Sequence, residues 1–137
     1  MKTAEPRLLQ LAVAIACLVP LFAGSRGVLL GPLWLKGVDG LGPLPADLDS
    51  HFRYMSGIFL GVGIAFVTCI PDIARKGPRF RLLGALVVAG GLARLFSLIE
   101  VGAPTPGHRF GLVMELGVVP LLMLWQWRVA RQQQRRD

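Results

Sequence analysis

The stretch Asp47-Leu48-Asp49-Ser50-His51-Phe52-Arg53-Tyr54-Met55-Ser56-Gly57-Ile58-Phe59-Leu60-Gly61-Val62-Gly63-Ile64-Ala65-Phe66-Val67-Thr68-Cys69-Ile70 decides the fold. It follows Pro45-Ala46, so proline stands at a helix start, with Asp47 and Asp49 near the positive end of the helix dipole. Pro71-Asp72 ends it. Beyond Arg53 no charged side chain appears before Asp72. At about 1.5 Å per residue such a helix is about 36 Å long, enough to cross about 30 Å of hydrocarbon. The stretch therefore reads as a transmembrane helix whose first turns are polar.

Working outward, the same pattern recurs. Apolar blocks occupy about 8–24, 80–99 and 110–127, which with 47–70 predicts four spans. The chain is 53% hydrophobic and 17% charged, with a mean hydropathy of +0.57. A soluble domain averages about 45–50% apolar and about 25% charged. The 137 residues suit one domain, an integral membrane protein of the all-α class.

The first block follows Lys2 and Arg7 and resembles a signal peptide, with Ala23-Gly24-Ser25 as a small-residue cleavage site. Pro20 and the apolar Val28–Leu30 favour a retained span that continues to the surface. Residues 25–46 form an expected outer loop, because Gly27, Gly31, Pro32, Gly37, Gly40, Gly42, Pro43 and Pro45 break regular structure. Its Trp34 suits the headgroup region.

Charge orients the spans. The net charge is +7 and the pI about 10.8. Nucleic-acid binding is not expected, because the basic residues flank apolar blocks. Lys2, Arg7, Arg75, Lys76, Arg79, Arg81, Arg128, Arg131, Arg135 and Arg136 lie in the N-terminal segment, the 71–81 region and the 128–137 tail. Four spans put these three segments on one side, which the positive-inside rule makes the cytoplasm. Both termini are thus expected to be cytoplasmic, with the 71–79 loop beside them and the 25–46 and 100–109 loops outside. Trp125 and Trp127 fall at the inner interface as aromatic anchors.

Three ionisable residues fall inside spans. Arg53 lies about 6–9 Å along the second helix, while Arg94 and Glu115 each lie about 8 Å from the outer ends of the third and fourth. All three occupy one level in the outer half of the membrane. Ionisable groups at depth need partners and mark function by default, so an Arg53–Glu115–Arg94 cluster is expected. Asp49 can meet Arg53 one turn away, and Ser97 lies one turn beyond Arg94. His51, Tyr54, Ser56, Glu100 and His108 lie at or just above this level.

Small residues point to packing faces. Gly57-x-x-x-Gly61 would let a neighbouring backbone approach the second helix. Ala85, Ala89, Ala93 and Ser97 form a small stripe on the third, with Gly90 and Arg94 beside it.

The charged set admits a structural staple that fixes helix register, a polar pocket whose one positive charge in excess would favour an anion, or catalysis. His51 and His108 lack the spacing and cysteine partners of a metal or haem site. Cys17 and Cys69 read as small buried hydrophobes. No metal or other cofactor is expected.

The motifs also carry a resemblance. His51-Phe52-Arg53-Tyr54-Met55-Ser56-Gly57, Gly90-Gly91-Leu92-Ala93-Arg94-Leu95-Phe96-Ser97, Glu115-Leu116, Pro120-Leu121-Leu122 and Leu124-Trp125-Gln126 resemble small bacterial four-span proteins of domain-of-unknown-function family 4345. The likeness covers most of the chain and is weakest over Ser25–Leu44. It implies a compact four-helix membrane domain and no activity, and it places Arg53, Arg94 and Glu115 within the motifs.

The expectation is a multi-pass four-helix bundle of the bacterial inner membrane. An outward-facing pocket would take an amphiphile, a lipid headgroup or an anion, bound by Arg53, Arg94, Glu115, His51, Tyr54 and Ser97. No residue is assigned a catalytic role. An intramembrane enzyme using Glu115 or His51 as acid or base is the alternative, and a structural accessory subunit another. Partners would be the bilayer and a small amphiphilic or anionic ligand. A second copy or a larger membrane complex completes the expected partners.

Overall fold

A computed structural model describes residues 4–38 and 40–135, so Lys2 and Arg136 of the expected inner charge lie outside the described residues. The fold is all-α, with no strand among the described residues. Four helical stretches are long and apolar enough to cross a membrane: Glu5–Trp34, Ala46–Asp72, Gly77–Val101 and Pro106–Gln134. They comprise α1 (Glu5–Leu30) with a 3₁₀ turn at Gly31–Trp34, α2 (Ala46–Val67) with a 3₁₀ turn at Ile70–Asp72, and α3 (Gly77–Val101). The last stretch is α4 (Pro106–Val113), a π-helical segment (Met114–Val118) and α5 (Val119–Gln134).

Large apolar side chains face outward along these helices: Leu18 is 62% exposed, Phe22 65%, Leu86 54% and Leu121 66%. Water would not tolerate so much continuous apolar surface, whereas hydrocarbon does. The chain is therefore a multi-pass membrane protein.

Two elements depart from expectation. The loop expected over 25–46 is helical to Leu30, because Gly24 and Gly27 are packed positions inside α1 rather than breakers. Gly31 takes φ +62, the left-handed conformation that ends a helix cheaply only at glycine. The basic tail expected from 128 onward is helical to Gln134. Its arginines lie at the negative end of the helix dipole, where cations are favoured.

The chain divides into two compact units. One comprises Val13–Thr68. In it α1 and α2 run antiparallel: Gly24 faces Leu60, Gly27 faces Ser56, and the Pro20 ring lies against Gly63. The glycines that admit close approach are thus Gly24, Gly27 and Gly63, rather than the expected Gly57 and Gly61. Nothing among the described residues lies within 4 Å of a Cβ built on Gly61. Phe22 and Trp34 meet edge to face, with ring centroids 6.2 Å apart.

The other unit comprises Met1–Ala12 and Cys69–Asp137. Here α3 runs antiparallel to α4–α5, with Gly84 against Met123 and Gly91 against Glu115 and Leu116. The buried positions of α3 are Gly77, Phe80, Leu83, Gly84 and Gly91. The expected stripe Ala85, Ala89, Ala93 and Ser97 is exposed instead. Polar contacts tie the ends of this unit together. Gln10 donates to the Ile70 carbonyl (2.7 Å), and Glu5 accepts from Trp125 Nε1 (3.3 Å) and pairs with Arg128 (3.1 Å).

Gln126 is fully buried: its Nε2 donates to the Ile73 carbonyl at 2.8 Å, and its Oε1 has no partner among the described residues. Gln126→Met should therefore leave stability within about 1 kcal/mol, because the lost bond is offset by removal of an unsatisfied acceptor. Equilibrium unfolding in detergent, followed by tryptophan fluorescence, checks this.

Candidate functional site

Glu115 is the one buried acid among the described residues, and backbone geometry aims it. Pro120 cannot donate to the carbonyl one turn back, and its ring crowds that carbonyl. The fourth span meets this conflict by opening into a π-helical segment, where Val119 N–H bonds to the Met114 carbonyl, five residues earlier. Single π turns inside α-helices occur often at functional sites. Glu115 sits in this segment with its side chain only 8% exposed.

Arg94 reaches it from α3. Its Nε donates to Glu115 Oε2 at 2.9 Å and its Nη2 to Oε1 at 3.0 Å. This is the bidentate fork that makes arginine–carboxylate pairs strong and directional. Two glycines make room. A Cβ on Gly91 would lie 2.8 Å from Glu115 Cβ and 2.8 Å from Leu116 Cδ2. One on Gly111 would lie 3.7 Å from Arg94 Cζ. Glycine at these positions lets the α3 backbone and the fourth span close around the pair.

The pair is open on one side. The Arg94 side chain is 32% exposed, and its Nη1 makes no hydrogen bond among the described residues. A guanidinium carries five N–H donors, of which Glu115 takes two. The rest can serve an oxygen acceptor from outside. His108 stands nearby: its Nδ1 lies 3.1 Å from Thr105 Oγ1, and its ring is within electrostatic reach of Arg94 and Glu115.

Arg53 has other partners. Asp49 accepts from its Nε at 2.8 Å and from its Nη2 at 3.2 Å. Nη1 donates to the Val28 carbonyl and, at 3.1 Å, to the Leu29 carbonyl. Those carbonyls belong to the last turn of α1 and have no acceptor role left inside it, so Arg53 fastens α2 to the end of α1. Each arginine has its own carboxylate.

The remaining expected site residues are more open. His51 is exposed, Tyr54 is 64% exposed, and Ser97 is exposed on α3 one turn beyond Arg94. None of the three side chains makes a hydrogen bond among the described residues. Cys17 and Cys69 are both buried. No group of three or more His, Cys, Asp or Glu could hold a metal ion among the described residues.

Residues 8–126 match the family described as Domain of unknown function (DUF4345), and the chain belongs to that family. The match contains Arg53, Arg94 and Glu115 together with the π-helical segment. No curated protein matches the chain, and no solved structure does.

Proposed function

We propose that the protein is a non-enzymatic membrane protein whose Arg94–Glu115 pair receives the oxygen-bearing head of a small amphiphile, a carboxylate or phosphate. The observation that supports this is the half-open fork. Glu115 holds the guanidinium in place through two bonds while Nη1 stays available. Holding a cation in a fixed direction within an apolar span suits recognition of an anionic or strongly accepting head. His108 and Thr105 stand where they can add a second contact. Arg53, engaged by Asp49 and two carbonyls, acts in this reading as a fastener, and His51, Tyr54 and Ser97 as rim residues. Both Glu115 oxygens are committed to Arg94, which favours a positioning role over proton transfer and leaves the enzymatic alternative less supported.

The charge distribution supports a bacterial inner-membrane location with both termini cytoplasmic. Arg94 and Glu115 then lie in the outer half of the bilayer.

The test is mass spectrometry of small molecules that copurify with the protein in mild detergent. Wild type should retain a carboxylate- or phosphate-bearing amphiphile. Arg94→Lys keeps the charge but loses the planar fork, so it should lose about tenfold or more of that ligand while its tryptophan fluorescence stays native. Equal retention by both proteins, or no ligand on either, overturns the reading.

A further inference from the structure

The last turns of α5 present a second, separate chemistry. Leu124, Trp127, Arg128, Arg131, Gln132 and Arg135 line a groove of about 410 Å³. Their spacing is helical, so they form one stripe along the helix face. The stripe is graded: an apolar residue, then an aromatic one, then three arginines toward the helix end. That is the order in which a side chain would meet hydrocarbon, headgroup and water. About 24 Å of helix separates Arg131 from Glu115 at about 1.5 Å per residue, so the groove is not part of the Arg94 site.

From this we infer that the α5 groove seats the phosphate of an anionic phospholipid, with its acyl chain along the Leu124 side. Three features select this occupant. Arg128 is offset by Glu5 at 3.1 Å, which leaves Arg131 and Arg135 as two positive charges with no acid partner among the described residues. Arg131 lies over the Trp127 ring with its Cζ 3.8 Å from the centroid. A guanidinium over a ring uses its face and keeps its in-plane N–H donors for an oxygen acceptor. It also occupies one face of Trp127, where a choline or ethanolamine cation would have to compete with Arg131. A phosphodiester with no compensating cation therefore fits better than a zwitterionic lipid. Anionic lipids of the cytoplasmic leaflet attract juxtamembrane arginines in this way.

The test uses the full chain in nanodiscs or mild detergent and native mass spectrometry with phosphatidylglycerol against phosphatidylcholine. The unmodified protein should prefer phosphatidylglycerol by about tenfold or more. The double variant Arg131→Gln/Arg135→Gln alters exposed side chains at a helix end and should bring the preference close to unity. In an Arg94→Lys background the double substitution should cost the same fold of preference, which separates this site from the one proposed above. Equal binding of the two lipids by the unmodified protein overturns the inference. So does a preference that survives in the double variant, or displacement of the lipid by millimolar inorganic phosphate, which would mark a simple anion seat.

Discussion

Glu115→Leu is expected to destabilise the folded protein by about 3 kcal/mol, the low end of the cost of stripping one partner from a buried ion pair. The low end applies because Arg94 is 32% exposed and can turn part of its charge toward a more polar neighbour. The cost of an arginine facing hydrocarbon, about 2.5–3.5 kcal/mol by insertion scales, leads to the same figure. Arg94→Leu alone should cost a similar amount, since it leaves the Glu115 carboxylate buried without its donor. Arg94→Leu/Glu115→Leu should then recover most of the loss and fall within about 1 kcal/mol of the parent, because the two charges vanish together. A denaturant titration in detergent closes this double-mutant cycle. A double variant as unstable as the sum of the single ones would show that Arg94 and Glu115 do not act as a pair. The cycle also complements the ligand test. A pair that only staples helices would show the coupling and no copurifying ligand.

Much of this site was legible in the sequence, for a simple physical reason. Charges are so costly in a span that each needs a partner at its own depth, and depth can be counted along a helix. Counting placed Arg53, Arg94 and Glu115 at one level, and the structure joins Arg94 to Glu115. Helix spacing, by a separate argument, paired Asp49 with Arg53, one turn apart on α2. Four spans followed from hydropathy and from the side on which the arginines gather.

What was not legible concerns faces and backbone register. In a soluble helix the apolar stripe marks the packed side. In a bilayer lipid is as apolar as a neighbouring helix, so that contrast disappears. Ala85, Ala89, Ala93 and Ser97 therefore looked like a contact stripe, while α3 packs through Phe80, Gly84 and Gly91. The π-helical segment was also hidden, because Pro120 signals only that the ladder must break. Whether the break becomes a kink or a π turn is set by packing that the sequence pattern does not display. Arg53's carbonyl partners were missed because Gly27 and the breakers after it suggested a loop from residue 25 onward, whereas α1 is helical to Leu30.

Those same glycines lead to the other large expected effect. Gly24→Ala should destabilise the protein by about 1–3 kcal/mol, the usual cost of overpacking a closely fitted contact. A Cβ there would lie 2.8 Å from Leu60 Cβ, 2.8 Å from Leu60 N and 2.9 Å from Leu60 Cα. Two of these three atoms are backbone, so no rotamer change relieves the clash, and α2 as a whole must move away from α1. The shift would also strain Arg53, whose bonds to the Val28 and Leu29 carbonyls depend on the helix spacing one turn further along. Gly61→Ala is the matched control. It lies on α2 one residue beyond Leu60, with nothing among the described residues within 4 Å of the added methyl. Alanine is the better helix former by about 0.8–1 kcal/mol, so this change should be neutral or slightly stabilising. The decisive measurement is the difference between the two unfolding midpoints in one detergent. Equal midpoints would show that the Gly24–Leu60 contact contributes nothing. A lower midpoint for Gly61→Ala than for Gly24→Ala would return the close approach to the Gly57-x-x-x-Gly61 face. The expected order, with Gly24→Ala well below, identifies van der Waals contact at glycine as what holds α1 to α2. In lipid, where burial of apolar surface drives little association, such contact has to take that role.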